Sequence, residues 1–267
     1  MNCARKGIGW VIRGIAGLCA LFAVAATVLC AHAPLSRAVE LHVLAAGATE
    51  ATIRDMVGQF EKQTGNSVKL TYGAVGALRD KIVAGEPVDV TIVTPAILEQ
   101  LDAKGLIRKD TRTDVGRVGG GIAVRRGAPE PDVSTPEALK KALLAAEHVY
   151  YADPATATAG AYFMKVADGL GVGDEVRKKG RSAPGGKEAM KEMAADPGVA
   201  IGLTQMSEIV SVPEVKAIGP YPGKLQLSTT YSGVVVKNAK YPDAGMEFLK
   251  FLTSPAVQAR FRKGGYE

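Results

Sequence analysis

Short apolar runs rich in β-branched residues alternate with helical patterns along most of the chain, and this alternation limits the fold more than any other feature of the sequence. The segments ELHVLAA (40–46), SVKLTYG (67–73) and VDVTIV (88–93) are typical of strands, and each is followed by a helical pattern. The first of these helices should end at Gly65, and the third should begin at Thr94-Pro95. Strand–helix–strand units make right-handed crossovers, which give a parallel sheet covered by helices. The sequence therefore predicts an α/β fold.

The second half of the chain shows the same alternation. It begins with the strand-like RVGGGIAVRRG (117–127), and HVYYAD and VAIGLTQ are predicted as further strands. Helices are predicted after STPEAL and within GGKEAMKEMAAD. A loop, DPATATAG, leads into another helix that begins near Tyr162. LQLSTTYSGVVVK reads as a further strand, and two closing helices follow it. We predict two lobes, 39–117 with 234–267 and 118–233, which close about the segments RVGGGIAV and YSGVVV.

The first 38 residues have the layout of a secretory signal peptide. A basic start, MNCARKGIGWVIRG, precedes the apolar run IAGLCALFAVAATVLCA, and LSRA ends in a small residue at Ala38. A membrane anchor is the alternative, but the apolar run is shorter than the roughly 20 residues that span a bilayer. We therefore predict cleavage near Ala38 and a periplasmic location.

Charge and cysteine content exclude several classes of function. The chain carries 33 Lys and Arg against 27 Asp and Glu, and four of the basic residues but none of the acidic ones fall in the leader, which leaves a net charge of +2. All three cysteines also lie there. After the leader, the sequence offers neither a basic surface for nucleic acid nor thiol catalysis or thiolate-bound metal. We predict a monomer that has no cofactor and no nucleic-acid partner.

The turn in LAAGATEATIRDMVGQF (44–60) runs from a strand into a helix and has almost no functional side chains. A helix N-terminus carries unpaired backbone N–H groups and a partial positive charge. Such a turn can bind an anion through its backbone alone. We therefore predict that this turn is one wall of an anion site.

Five segments, in order along the chain, carry a resemblance to a known family: LAAGATEATIRDMVGQFEKQTG, TYGAVGALRDKIVAGEPVDVTIV, ADPATATAGAYF, AIGLTQMSEI and FLKFLTSPAVQARFRKGGY. Together they resemble the periplasmic molybdate-binding proteins, which are class II solute-binding proteins of ABC importers. The resemblance implies two α/β lobes, each a mainly parallel sheet flanked by helices, joined by two crossing strands. It also implies that a small anion binds between the lobes and passes to the membrane subunits of an importer.

The resemblance locates five ligand contacts, and the chain departs from the family at several of them. Serines of the family correspond here to Gly47 and Val75, and its tyrosine corresponds to Gln205. Two backbone amides correspond to Ala159 and Gly186. Each lost hydroxyl removes a hydrogen bond to the anion worth about 1.5–3 kcal/mol. We therefore expect an organic anion, such as a carboxylate, in place of molybdate.

New polar groups near the same loops suggest how such an anion is held. Arg79 and Lys187 supply positive charge, and Thr49, Thr204 and Gln205 supply donors, although the two basic residues also fit a solvated helix surface. The predicted ligand-binding set is Gly47, Ala48, Thr49, Ala74, Val75, Gly76, Arg79, Ala159, Gly186, Lys187, Thr204 and Gln205.

Other polar residues have structural explanations. His42 and His148 start strands and have no neighbours at metal-ligand spacing. Asp89 and Asp153 lie at strand ends, where they cap turns or, alternatively, hold a cation. Two further functions stay open beside binding of an organic anion. One is binding of molybdate or tungstate through backbone amides, and the other is a periplasmic enzyme on the same scaffold. We predict no enzyme activity, since no nucleophile and base can be paired from the sequence.

Overall fold

The computed structural model describes residues 38–267, so the predicted signal peptide lies outside the described residues except for Ala38. The strands are β1 (Glu40–Ala46), β2 (Ser67–Gly73), β3 (Val90–Val93), β4 (Ile107–Arg125), β5 (His148–Ala152), β6 (Gly180–Ala183), β7 (Ala200–Gln205), β8 (Val215–Pro220) and β9 (Ser228–Val236). The helices are α1 (Glu50–Thr64), α2 (Val75–Val83), α3 (Pro95–Asp102), α4 (Pro136–Ala145), α5 (Thr158–Gly169), α6 (Gly173–Lys179), α7 (Gly186–Ala195), α8 (Met206–Val210), α9 (Pro242–Leu252) and α10 (Pro255–Lys263).

The strands lie in the order β2-β1-β3-β9-β4-β7-β5-β6, with β8 beside β4. Pairing is parallel at both ends of this order, where β1 lies between β2 and β3 and β5 lies between β6 and β7. It is antiparallel in the middle, where β9 pairs with β3 and β4, and β4 also pairs with β7. The predicted α/β class, with helices flanking the sheet and two central crossing strands, is confirmed.

Helix boundaries follow the local sequence signals. Gly65 ends α1 in the left-handed conformation, with φ of 76°, which glycine adopts without a steric penalty. Thr94 is the N-cap of α3, and Pro95 takes its first position, where the absent N–H costs no hydrogen bond. Both boundaries match the sequence prediction.

The hydrophobic core is divided in the same way as the sheet. One cluster of buried side chains draws on residues 41–118 and 231–266, and it includes Phe60, Phe248 and Phe261. Two further clusters draw only on residues 122–225. The lobe boundaries predicted after residues 117 and 233 fall inside β4 and β9, and they stay a prediction.

The glycines 119–121 in β4 have a packing role in the structure. A side chain on Gly120 would overlap the ring of Tyr221, and one on Gly121 would lie 2.7 Å from Met206 Cε. The run therefore lets bulky neighbours lie against the strand, and none of the three adopts a positive φ.

Several elements differ from the sequence prediction. Strands β6 and β8 and helices α6 and α8 are short and were not predicted. The prediction that a helix begins near Tyr162 is wrong, because α5 already begins at Thr158 and the N–H of Ala161 bonds to the carbonyl of Ala157 at 3.0 Å. The last three residues of TATAG, Thr158, Ala159 and Gly160, were read as a loop and instead lie in the first turn of this helix. Within 38–267, none of the helices combines the length and apolarity needed to cross a membrane.

Candidate functional site

A pocket of about 670 Å³ lies where the carboxyl ends of β1, β2, β5, β6 and β7 meet the helices that follow them. Ligands of α/β sheets bind at these strand ends. The volume is within the usual range for pockets that take small organic molecules. Its walls are formed by Ala46, Gly47, Ala48, Glu50, Tyr72, Gly73, Ala74, Val75, Ala77, Ala152, Asp153, Thr156, Ala157, Thr158, Ala159, Ser182, Ala183, Pro184, Gly185, Gly186, Lys187, Glu188, Gln205, Glu208 and Tyr231.

Four helix N-termini converge on this pocket. They belong to α1 with the short 3-10 turn before it, and to α2, α5 and α7. At none of the four does the side chain of the N-cap residue accept a hydrogen bond from the first turn, although the Gly186 N–H of α7 bonds to the Glu208 carboxyl. Each N-terminus carries about half an elementary positive charge. Together they offer an anion unpaired donors and a favourable potential without any basic side chain.

The structure brings eight of the twelve predicted site residues into the pocket wall. These are Gly47, Ala48, Ala74, Val75, Ala159, Gly186, Lys187 and Gln205. The other four lie outside it. Gly76 donates its N–H to the carbonyl of Thr156 at 3.1 Å, and Thr49 donates its hydroxyl to the carbonyl of Ala46 at 2.8 Å. Both groups are therefore engaged within the protein.

The two predicted cations occupy different surroundings. Lys187 Nζ lies 3.0 Å from Glu50 Oε1, and both side chains are mostly shielded from solvent. Arg79 is outside the pocket wall and contacts Asp80 and Gln100 on the surface. Lys187 is the basic side chain of the pocket wall, and its charge is already balanced by Glu50.

Glu208 is the residue that sequence reasoning missed. It lies on the short helix α8, is 7% exposed, and accepts a hydrogen bond from the Thr204 hydroxyl at 2.5 Å. A Cβ on Gly186 would overlap this carboxyl, and one on Gly47 would lie 3.5 Å from Oε1. The carboxyl therefore lies between Gly47 and Gly186, which are two of the positions where the family resemblance implies contacts to the anion. The one sequence signal for this position is that Glu208 is a charged residue three positions after an apolar strand.

Burial raises the pKa of the Glu208 carboxyl from its ordinary value to about 7. The Thr204 hydroxyl and the N–H groups of Gln205 and Gly186 oppose this effect, and the negative charge of Glu188 adds to it. Near neutral pH, Glu208 can therefore hold or release a proton at the pocket wall.

Gln205 and Tyr72 bring unused polar atoms to the pocket. Gln205 is 1% exposed, and its Nε2 donates to the Thr229 hydroxyl at 2.8 Å. Its Oε1 and the Tyr72 hydroxyl are buried without a hydrogen-bond partner among residues 38–267. The Gln205 side chain also favours the ionised form of the Tyr231 hydroxyl, which lies near it. Because an unpaired buried polar atom is costly, each of these atoms is suited to a polar group of a ligand.

The turn after β1 is fixed by two distant hydroxyls. Ser207 and Tyr266 donate to the carbonyl of Ala48 at 2.8 and 2.6 Å. The turn that was predicted to bind the anion is thereby fixed by residues from distant parts of the chain.

The histidines and aspartates considered from sequence have structural roles. His42 pairs with Glu40, and Asp89 accepts hydrogen bonds from the N–H groups of His42 and Tyr241 at 2.9 Å each. Asp153 accepts from the N–H of Ala155. In the part of the chain that the structure describes, no three acidic, histidine or cysteine side chains are grouped to hold a metal ion.

Residues 41–267 match the model of a family described as bacterial extracellular solute-binding protein. This chain belongs to that family. It is a family of extracellular and periplasmic solute-binding proteins that serve ABC importers, and the resemblance to molybdate-binding proteins is confirmed.

Three relatives illustrate the range of the family. Aconitate isomerase of Pseudomonas sp is 32% identical over 86% of this chain and 87% of its own length. Molybdate-binding protein ModA of Azotobacter vinelandii is 24% identical over 86% and 91%. A solved structure of an Azotobacter vinelandii periplasmic molybdate-binding protein superposes with a TM-score of 0.72 at 22% identity, covering 85% of this chain and 98% of that one. Since one relative is named as an enzyme, family membership alone does not separate binding from catalysis.

Proposed function

We propose that this protein captures a small organic anion with two or three carboxylates in the pocket between β1 and β7 and delivers it to the membrane subunits of an ABC importer. The observation that carries the proposal is the convergence of four helix N-termini on one pocket. The hydroxyls that would bind a tetrahedral oxyanion are absent at Gly47 and Val75. Backbone amides suit any anion, so the side chains decide which one binds.

Size and polar groups favour a carboxylate over molybdate. A cavity of about 670 Å³ is much larger than a tetrahedral oxyanion needs when it is bound without water. The free Tyr72 hydroxyl can donate to a carboxylate, and the free Gln205 Oε1 can accept from a hydroxyl or a protonated carboxyl. Molybdate has no carbon skeleton to fill the space and, near neutral pH, no proton to donate.

The test is calorimetric titration of the protein with cis-aconitate, trans-aconitate, tricarballylate, citrate, sulfate and molybdate. We expect at least one tricarboxylate to bind more tightly than either inorganic anion. Molybdate binding tighter than every carboxylate would favour recognition of the oxyanion through backbone amides and overturn the proposal.

Gln205 provides a side-chain test of the same site. Gln205→Ala should weaken carboxylate binding by about 1–3 kcal/mol, the range for removing a buried hydrogen-bond partner. Gln100→Ala removes the same side chain from an exposed position outside the pocket and should leave the affinity unchanged. Equal affinities of the two variants would remove Gln205 from the site.

Isomerisation of an unsaturated carboxylate is a second candidate function, favoured by Glu208. Moving a double bond along a carbon chain requires a base that takes a proton from one carbon and an acid that returns one to another. A carboxyl with a pKa of about 7 at the pocket wall suits both steps, and a relative with 32% identity is named aconitate isomerase. Proton NMR of cis-aconitate incubated with the protein in heavy water would reveal the trans isomer and deuterium incorporation. Activity that survives Glu208→Gln would exclude Glu208 as the base.

A further inference from the structure

We propose that Glu208 is the specificity-determining residue of the pocket, and that it admits an anion only when one proton is shared between its own carboxyl and the ligand. This inference rests on the proposed function, because it concerns the same pocket and the same class of ligand.

The position of the carboxyl is the first argument. Glu208 lies against Gly186 at the N-terminus of α7, and its Oε1 faces the side of the pocket formed by Gly47. An anion that used the amides at both positions would lie next to this carboxyl. Two unprotonated anionic oxygens cannot hydrogen-bond to each other, and their repulsion is strong in a buried site. One proton between them converts this repulsion into a hydrogen bond.

The charge of the pocket wall is the second argument. Four helix N-termini contribute about +2 elementary charges in total. The side chains of the wall contribute one ammonium, Lys187, against the carboxylates of Glu50, Asp153 and Glu188. These charges roughly cancel when Glu208 is neutral. With Glu208 ionised, the wall is negative overall and repels an incoming anion.

The acceptor Gln205 Oε1 is the third argument. It is buried in the pocket wall and receives no hydrogen bond from residues 38–267. Glu208 and Gln205 therefore present two acceptor oxygens at the same end of β7. A ligand that carries a proton can satisfy them, whereas a fully deprotonated one cannot.

These three features define the ligand by its protonation. Sulfate and molybdate are fully deprotonated dianions near neutral pH and have no proton to share. The last carboxyl of a polycarboxylic acid to ionise has a higher pKa than a lone carboxyl, because the negative charges already present disfavour another one. The pocket should therefore prefer a polycarboxylate over both inorganic anions.

The charged and titratable groups around Glu208 come from several elements of the fold. Glu188 on α7 disfavours its ionised form, and the hydroxyl of Thr204 on β7 favours it. Lys187 on α7 is paired with Glu50 on α1. Tyr231 on β9 and Tyr266 after α10 stay neutral, because burial and the charge of Glu208 raise their pKa values. Neither tyrosine therefore titrates near pH 7 in place of Glu208.

The experiment measures the protons taken up when tricarballylate binds. This saturated tricarboxylate has no double bond, so an isomerase activity cannot alter it. Calorimetry is run at pH 6, 7 and 8, each in two buffers with different heats of ionisation. We expect uptake of about one proton per ligand at pH 8, and an affinity that falls about tenfold for each pH unit above 7.

Two variants separate Glu208 from its surroundings. Glu208→Gln should abolish the proton uptake at pH 8, flatten the pH dependence and increase the affinity for molybdate. Thr204→Val removes the hydroxyl that favours ionised Glu208, so the pH at which binding weakens should rise. Glu192→Gln makes the same change in charge on an exposed part of α7 outside the pocket and should behave as the wild type.

The outcomes are distinguishable. Tricarballylate binding without proton uptake, or the same uptake in wild type and Glu208→Gln, overturns the role of Glu208 and leaves the proposed function intact. Should Glu208→Gln fail to fold, an unchanged pH profile in Thr204→Val overturns it equally. Absence of binding of every tricarboxylate at all three pH values overturns the proposed function, and this inference with it.

Discussion

The two ends of helix α7 each carry a shielded carboxyl, and the two carboxyls behave in opposite ways. Glu208 lies against the N-terminus and is 7% exposed. Asp196 is the C-cap residue, and its side chain is 8% exposed. The helix dipole should favour the charge of Glu208 and disfavour that of Asp196. Yet the pKa of Glu208 is raised and that of Asp196 is lowered.

The difference lies in the balance between burial and neighbouring charge, because each carboxyl has three donors. Burial works against both charges. Asp196 overcomes it with the Gly198 N–H at 2.8 Å, the Tyr150 hydroxyl at 2.8 Å and His148 Nδ1 at 2.7 Å, and the charge of His148 adds to this effect.

Glu208 receives the Thr204 hydroxyl and the N–H groups of Gln205 and Gly186, but burial outweighs them and the negative charge of Glu188 adds to the effect of burial. Burial and neighbouring charge therefore outweigh the helix dipole here, and the carboxyl that faces another carboxylate is the one in the pocket.

The largest expected effect is on the pH dependence of stability through Glu208. A carboxyl whose pKa is raised in the folded state stabilises the fold fully below its unfolded pKa and loses this contribution as pH rises through the folded value. The wild type should therefore lose about 3 kcal/mol of unfolding free energy between about pH 4.5 and pH 8 relative to Glu208→Gln. Urea unfolding of both proteins across this range measures the loss. Parallel curves would contradict the unfavourable burial of Glu208, and Glu192→Gln serves as the control.

A smaller effect with the opposite sign is expected at the other end of α7. The lowered pKa of Asp196 stabilises the fold above the unfolded pKa and is lost as pH falls through the folded value. Asp196→Asn should therefore cost about 2 kcal/mol at pH 7, through weaker hydrogen bonds from Tyr150, His148 and Gly198, and the cost should shrink below about pH 4. Chemical denaturation at pH 7 and pH 3.5 tests this. A cost that is the same at both values would mean that charge is not involved.

The smallest effect comes from removing a single donor. Tyr150→Phe deletes one of the three hydrogen bonds to Asp196 and should cost about 1 kcal/mol at pH 7. It should also move the acid side of the stability profile toward higher pH, since Asp196 is then less strongly held in its charged form. If Tyr150→Phe costs as much as Asp196→Asn, the hydroxyl alone accounts for the effect and the other two donors contribute nothing.

Most of the fold could be predicted from the sequence, because long elements carry periodicity and clear boundary residues. Strands β1 and β2 match their predicted limits, and α1 ends at the predicted glycine. The elements that escaped prediction are short or rich in small residues. Strand β6 has four residues and helix α8 has five, too few to show a period.

The site could be predicted only where backbone geometry defines it. The turns at Gly47 and Val75 follow strands β1 and β2, whose ends could be predicted from the sequence, whereas Ala159 and Gly186 were located only by the family resemblance. The surroundings of side chains could not. Arg79 and Lys187 each lie in or near the first turn of a helix, yet one lies on the surface with Asp80 and the other in the pocket with Glu50. Glu208 comes from an element that was not predicted, and the roles of the twelve residues in binding stay a prediction.

The carbonyl of Ala48 has a consequence for the order in which the protein acquires its function. Its two donors, Ser207 and Tyr266, follow it by 159 and 218 residues in the chain. Contacts between such distant residues form late in folding, since the entropy of closing a long loop is lost before the contact forms. The turn that would touch the ligand is therefore fixed only when the most distant parts of the chain have come together. A partly folded chain should have no partly competent pocket, and capture of ligand begins only after Tyr266 has packed against the turn.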